Sequence, residues 1–257
     1  VIAQRLGLTE HELNTKLNAI KDKLYAVRSQ RVAPGLDDKI LAAWNGMMLA
    51  SLAEAARVLG RKDYTEAAVR SGEFLLTAMT RDDGSMYRTY KGGSSKLNGY
   101  LEDYASVMDG YLELYQTTFD EKWFIAARKL ADIVLERFPA ADGGFYDTAD
   151  NHEALIVRPR NMQDNATPSG NTLTAKQLLR LAAYTGEARY EDSARGTLRL
   201  LTEAMRQYPQ AFGEALGGVE MLVSGVAEVA VVGDTSDTQT QALLNAVRKP
   251  YRPNVIT

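Results

Sequence analysis

WNGMMLASLAEAARVLGRKDY, residues 44–64, returns twice along the chain without a gap: as DYASVMDGYLELYQTTFDEKWF at 103–124 and GNTLTAKQLLRLAAYTGEARY at 170–190. The copies start at Trp44, Asp103 and Gly170, offsets of 59 and 67 residues. Leu52, Tyr111 and Leu178 correspond, as do Ala56, Tyr115 and Ala182, and Tyr64, Trp123 and Tyr190. Each copy carries an apolar stripe at helical spacing, such as Met48, Leu52, Ala55, Ala56 and Leu59. A short turn follows, such as Leu59-Gly60-Arg61-Lys62-Asp63, and then a second helix. Two such stripes joined by a tight turn make an antiparallel helix hairpin.

The second helices are expected near 64–79, 122–138 and 190–207, with long loops after them. Two of these loops share a motif, Asp82-Asp83-Gly84-Ser85-Met86-Tyr87 and Ala141-Asp142-Gly143-Gly144-Phe145-Tyr146. A period near 60 residues exceeds the roughly 33–47 of common helical solenoids and suits hairpins with a long loop at one end. The expected fold is all-α, with hairpins closing into a toroid. Its first helices line the inside, and the long loops and inner-helix starts share one rim. Residues 226–232 form a β-branched apolar run ending at Gly233-Asp234, followed by a helical stretch to Arg248 and an extended tail at Asn254–Thr257. This pattern predicts a small strand-helix-strand appendage over 226–257, after a partial toroid over 1–225. It lacks a glycine-rich phosphate loop, which argues against a nucleotide site.

Of the 257 residues 45 % are hydrophobic and 25 % charged, enough to bury a sizeable core. Thirty basic against thirty-three acidic residues, without a dense basic run, argue against a nucleic-acid partner. The absence of cysteine excludes disulfides, thiolate metal sites and cysteine nucleophiles from this stretch. The two histidines, His11 and His152, have no second histidine at ligand spacing and read as surface residues, so neither a metal nor a cofactor is expected. No apolar run approaches the roughly 18 residues of a membrane span, and no signal-peptide pattern opens the chain, so no membrane partner and a cytoplasmic location are expected. A start at Val1 without methionine reads as a fragment of a longer chain. Removing hairpins from a toroid uncovers apolar flanks, so the isolated segment is expected to self-associate.

Polar residues gather where the inner helices begin: Asp37 and Asp38 before Trp44-Asn45, Tyr100-Leu101-Glu102-Asp103-Tyr104, and Asp164 through Ser169 to Asn171. Tyr87, Arg88, Tyr146, Asp147, Arg158 and Arg160 come from the long loops. Aromatic faces cover the apolar side of a sugar ring, carboxylates and amides hold its hydroxyls, and two carboxylates can act as acid and base across a glycosidic bond. The competing reading is structural. Asp, Asn and Ser at helix starts cap free amides, which suffices for Asp37 and Ser169. Consecutive residues on a helix point about 100° apart, so only one of Glu102 and Asp103 can be the cap. Tyr104, Tyr111 and Tyr115 share a face and suit core packing. Arg158 and Arg160, flanking Pro159, suit an anionic group or nearby acids.

The runs Asp37-Asp38-Lys39-Ile40-Leu41-Ala42-Ala43-Trp44-Asn45-Gly46, Leu101-Glu102-Asp103-Tyr104-Ala105, Gly143-Gly144-Phe145-Tyr146 and Pro168-Ser169-Gly170-Asn171 resemble, in this order, the spermatogenesis-associated protein 20 family and its bacterial homologues. That resemblance implies an N-terminal thioredoxin-like domain joined to an (α/α)6 toroid similar to N-acylglucosamine 2-epimerase and six-hairpin glycosidases. This stretch would be the middle to late part of the toroid, with the thioredoxin-like domain of the intact chain as a partner and a sugar or other small polar molecule as ligand. Sugar epimerases of this fold use histidines as acid and base, and none stands at an inner-helix start here. In the carbohydrate-active reading, Glu102 or Asp103 with a second carboxylate such as Asp38 or Asp164 is the expected acid and base. Asp37, Trp44, Asn45, Tyr104, Tyr146, Arg158, Arg160, Ser169 and Asn171 would hold the ligand. The alternative is a non-catalytic binding or scaffold module serving the thioredoxin-like domain.

Overall fold

A computed structural model describes residues 2–153 and 156–257. The chain divides into two units, Val1–Asp38 and Lys39–Thr257. In the first, α1 (Ile2–Arg5) precedes α2 (Glu10–Ser29). Thr9 Oγ1 accepts from Glu12 N at 3.2 Å while the Glu12 carboxylate accepts from Thr9 N at 2.8 Å, a capping box that fixes where α2 starts.

The second unit runs β1 (Ile40–Leu41), α3 (Ala42–Leu59), α4 (Lys62–Ala78), β2 (Tyr87–Lys91), β3 (Ser94–Asn98), α5 (Leu101–Thr118), α6 (Glu121–Arg137), α7 (Gly170–Thr185), α8 (Ala188–Leu200) and α9 (Thr202–Gln207). A short 3-10 turn at Pro209–Ala211 leads to α10 (Gly213–Ser224), β4 (Ala227–Glu228), α11 (Thr238–Arg248) and β5 (Val255–Ile256). The hairpins α3–α4, α5–α6 and α7–α8 are the three copies of the repeat. Their first helices pack side by side, with α10 next to α7, and α4, α6 and α8 lie behind them. The first helices of the copies end at equivalent left-handed residues, Gly60 (φ 64), Phe119 (φ 56) and Gly186 (φ 71). A left-handed end exposes the last carbonyls to the following amides, and glycine adopts it without strain. Phe119 accepts that conformation with its ring edge-on to Tyr115, centroids 6.3 Å apart.

The core runs through α5, where Val107, Met108, Tyr111, Leu112 and Leu114 are all buried. Tyr111 stacks on Trp123 with centroids 5.7 Å apart, tying α5 to α6. Where α3 meets α5 the backbones touch, and Gly46 and Gly110 leave the room.

Two sequence expectations need correction. The loop after α4 holds a hairpin, with β2 antiparallel to β3 (Tyr87↔Asn98) and β1 added on the other edge (Ile40↔Tyr90). Gly92 and Gly93 both have positive φ, 57° and 82°, the tight-turn conformation that lets two strands fold back in register. The helix expected over 190–207 breaks at Leu201 into α8 and α9. The C-terminal strand-helix-strand order holds, with β4 parallel to β5 (Ala227↔Val255), although β4 takes up only two residues of the 226–232 run.

Candidate functional site

The rim is built from a staple made twice. Before α5, Met86 N donates to the Tyr104 hydroxyl at 2.9 Å; before α7, Phe145 N donates to Asn171 Oδ1 at 2.8 Å. Both donors sit in the shared loop motif, behind equivalent bridges Thr80↔Met86 and Pro139↔Phe145. Asn171 Nδ2 also donates to the carbonyls of Phe145 and Asn161, both at 2.9 Å. Tyr104 and Asn171 are buried, so their polar atoms fix the loops over the helix starts.

Asp103 is 1 % exposed and joins two inner helices. Its Oδ1 accepts from Ala43 N at the start of α3 (2.9 Å), and its Oδ2 from Tyr100 N at the start of α5 (2.8 Å). Arg88, on β2, donates to Oδ2 at 3.0 Å. Burial pushes the Asp103 carboxyl up to about 6, against the pull of Arg88 and the two N–H groups. Glu102 points the other way: its side chain is 45 % exposed and pairs with the second Arg88 nitrogen at 2.9 Å. The guanidinium lies 4.1 Å above the Tyr100 ring.

Glu102 shares a small cavity of about 110 Å³ with Tyr100, Asp147, Asn161 and Gly170. Asp147 accepts from Asn161 N at 2.9 and 3.1 Å through its two oxygens. Burial raises its pKa, the Asn161 N–H opposes this, and the charge of Glu102 pushes further upward. The rim therefore brings together Glu102, Asp103 and Arg88 with Asp147.

The remaining expected residues hold other positions. Asp164 Oδ1 accepts from Ser169 N (2.9 Å) and the Thr172 hydroxyl (2.5 Å), while Oδ2 accepts from Glu214 N at the start of α10 (2.9 Å). Ser169 caps α7 through Thr172 N at 3.1 Å. Arg158 lies 4.1 Å over the Tyr146 ring and donates to the Thr148 carbonyl. Arg160 pairs with Asp142 at 2.7 Å and donates to the Gly143 carbonyl. Asn45 Nδ2 donates to Leu41 O at 2.9 Å, and Trp44 is 66 % exposed. Asp37 and Asp38 lie in the first unit, in a stretch without helix or strand.

A second polar cluster sits deeper, on the inner helices themselves. The repeat makes Ala50, Asp109 and Lys176 equivalent, and likewise Glu54, Glu113 and Arg180. Arg180 pairs with Asp109 at 3.0 Å and with Glu113 at 2.7 Å, and Arg57 pairs with Glu113 at 2.7 Å. Lys176 pairs with Glu214 of α10 at 2.9 Å. These side chains line a cavity of about 450 Å³, bordered also by residues 251–256. Burial raises the Glu113 pKa, but Arg180 and Arg57 more than reverse this and hold it below the usual carboxylate value. Burial pushes Asp109 up to about 6, only partly countered by Arg180. The expectations built on helix starts passed over this cluster. Its signal was Asp109-x-x-x-Glu113 and Lys176-x-x-x-Arg180, charged pairs one turn apart inside helices that are otherwise largely apolar.

Among the described residues no group of three or more His, Asp or Glu side chains is placed to hold a metal ion, and no helix is long and apolar enough to cross a membrane.

Inner helices side by side, outer helices behind them and long loops gathered on one rim are the arrangement of an (α/α)6 toroid, the fold of six-hairpin glycosidases and sugar epimerases. An α-mannanase from Bacteroides thetaiotaomicron superposes with a TM-score of 0.57 at 15 % identity, over 84 % of this chain and 58 % of that one. The cellobiose 2-epimerase of Spirochaeta thermophila gives 0.53 at 14 %, over 63 % and 43 %, and the unsaturated glucuronyl hydrolase of a Bacillus species gives 0.53 at 20 %, over 68 % and 50 %. No family model matches the chain. Its sequence is 33 % identical over 265 residues to human spermatogenesis-associated protein 20, covering 99 % of this chain and 34 % of that protein. The rat protein is likewise 33 % identical, over 98 % of this chain and 33 % of its own length. The chain is thus a relative of spermatogenesis-associated protein 20, and it spans about a third of the length of these relatives.

Proposed function

We propose that this chain forms the rim and part of the interior of a carbohydrate-binding or carbohydrate-processing toroid, using carboxylate acid/base chemistry where a bond is broken. The observation that carries this is the convergence of Glu102 and Asp147 on one cavity between the starts of α5 and α7. The two carboxyls have different surroundings. Glu102 is half exposed and paired with Arg88, whereas partial burial and the neighbouring charge raise the pKa of Asp147. A carboxyl whose protonated form is favoured by its surroundings, as that of Asp147 is, suits the acid of such a pair. Trp44 and Tyr146 would offer ring faces, Arg158 and Arg160 would border the ligand, and Asp103, Asp164, Ser169, Tyr104, Asn45 and Asn171 would hold the rim around it. In the intact protein we place this module beside a thioredoxin-like domain in the cytoplasm. Within it we assign residues 1–225 to the toroid and 226–257 to an appendage.

The second reading, a binding or scaffold module without chemistry, is favoured by the acceptors that Asp103, Asp164 and Asn171 spend on backbone amides. The test is a thermal-shift series on the full-length protein with neutral, acidic and phosphorylated sugars. A ligand at a hundredfold excess over Kd stabilises by about 2.7 kcal/mol. We expect a saturating rise in Tm with one sugar class, lost in Glu102→Gln, and product formation if the site is catalytic. Saturable binding without product selects the scaffold reading, and no shift with any sugar removes the carbohydrate assignment.

A further inference from the structure

We infer that the cavity among α3, α5, α7 and α10 is a second binding site, one for a neutral polyhydroxylated ring held by the Asp109–Arg180 pair. This rests on the carbohydrate reading above and adds an interior site to the one at the rim.

The repeat supplies the first argument. Positions facing the hydrophobic core keep their character from copy to copy, as in Ala53, Leu112 and Leu179. Cavity-facing positions do not: Ala50 becomes Asp109 and then Lys176, and Glu54 becomes Glu113 and then Arg180. Helix packing alone asks for no such divergence. A buried ion network contributes less to stability than well-packed apolar side chains of the same volume would. Here the network also borders open space, with a quarter of the Asp109 side chain exposed (25 %).

Charge decides the ligand class. The acids Glu54, Asp109, Glu113 and Glu214 face the cavity. So do the bases Arg57, Lys176, Arg180 and Arg252, and the formal sum is zero. An added phosphate or carboxylate would have to break an existing ion pair and then meet the acids left behind. Neutral hydroxyls do neither, because each can accept from a guanidinium N–H and donate to a carboxylate oxygen while the pair stays formed. A volume of about 450 Å³ lies within the range of roughly 300–1,000 Å³ usual for small-molecule sites.

The experiment is isothermal titration calorimetry of the full-length protein with glucose, mannose, N-acetylglucosamine and cellobiose, and with glucuronate and glucose 6-phosphate as charged counterparts. We expect at least one neutral sugar to bind saturably and its charged counterparts at least tenfold more weakly. Asp109→Asn, which preserves the side-chain shape, should weaken binding at least tenfold. Ser51→Trp, on an exposed cavity-facing turn of α3, should abolish it by filling the space while leaving every charge in place. The unliganded Tm of each variant checks that it folds. Binding that survives both substitutions but is lost in Glu102→Gln overturns the interior site and leaves the rim reading standing. Tighter binding of the charged sugars overturns the neutral class, and no binding by any of the six overturns the interior site together with the carbohydrate reading.

Discussion

Asp103→Ala is expected to destabilise the protein by about 3–5 kcal/mol, the range for stripping one partner from a buried ion pair. Three groups lose their acceptor at once: Ala43 N, Tyr100 N and one arm of Arg88. The first two open α3 and α5, so both inner helices lose the hydrogen bond that sets their start. Arg88 keeps Glu102, which limits the loss on its side to a half-exposed pair. Asp103→Asn should cost less, because the amide oxygen can still accept one backbone N–H. The pH dependence separates the two causes. Burial raises the Asp103 carboxyl from its ordinary 3.8 to about 6, so between those values the folded state binds more proton than the unfolded chain. Stability from this group is therefore greatest below pH 4 and falls as pH rises towards 6. Urea titrations at pH 4 and pH 7 should show a smaller loss over that interval in Asp103→Asn than in the unsubstituted protein. An equal loss in both would mean that Asp103 does not titrate in this window.

The toroid was legible because its evidence is periodic. Tyr64, Trp123 and Tyr190 land at the same place in three hairpins, and the offsets that align them also align Gly60 with Phe119 and Gly186. Phe119 hides that last signal, since only its tertiary neighbours show why a residue other than glycine stands at a left-handed end. The β-hairpin was harder to read. Tyr87-Arg88-Thr89-Tyr90-Lys91 does not separate an apolar face from a polar one, and its second partner, Ile40–Leu41, precedes it by a whole helix hairpin. Local pattern cannot supply a pairing made across that distance.

At the rim, capping and function ask for the same atoms. An oxygen beside free amides at a helix start is equally a cap and a ligand contact, and nothing in the order of residues distinguishes them. The structure shows where Asp103, Asp164 and Asn171 place their acceptors, and shows that Glu102 looks outward. Asp147 gains its interest only from a loop that folds it against Glu102. The interior cluster escaped for the opposite reason. Asp109, Glu113 and Arg180 lie off the apolar stripes of their helices, and whether such positions face solvent, another helix or a cavity depends on neighbours that the helix itself does not encode.

Gly46→Ala is expected to cost about 3 kcal/mol or more, at or beyond the upper end of ordinary overpacking. An ideal Cβ at Gly46 would lie 2.5 Å from Ser106 C and 2.6 Å from both Ser106 O and Val107 N. These are backbone atoms of α5, which cannot rotate away as a side-chain tip could. The far side of the contact is equally close, since a Cβ on Gly110 would meet Gly46 O at 2.9 Å. One methyl group must therefore push α3 away from α5. The gain of up to about 1 kcal/mol that alanine brings to a helix interior is too small to offset this. Such a displacement would also stretch the Ala43–Asp103 hydrogen bond at the rim and the Arg57–Glu113 pair in the interior, which both span α3 and α5. Gly196→Ala is the control, because Gly196 lies inside α8 and its Cβ would meet nothing within 4 Å. That substitution should leave stability unchanged or raise it by up to about 1 kcal/mol. Opposite signs in denaturant titrations of the two variants would assign the α3–α5 spacing to the glycine contact. A gain in both would mean that helix propensity governs both positions and that the α3–α5 spacing is set by something other than Gly46.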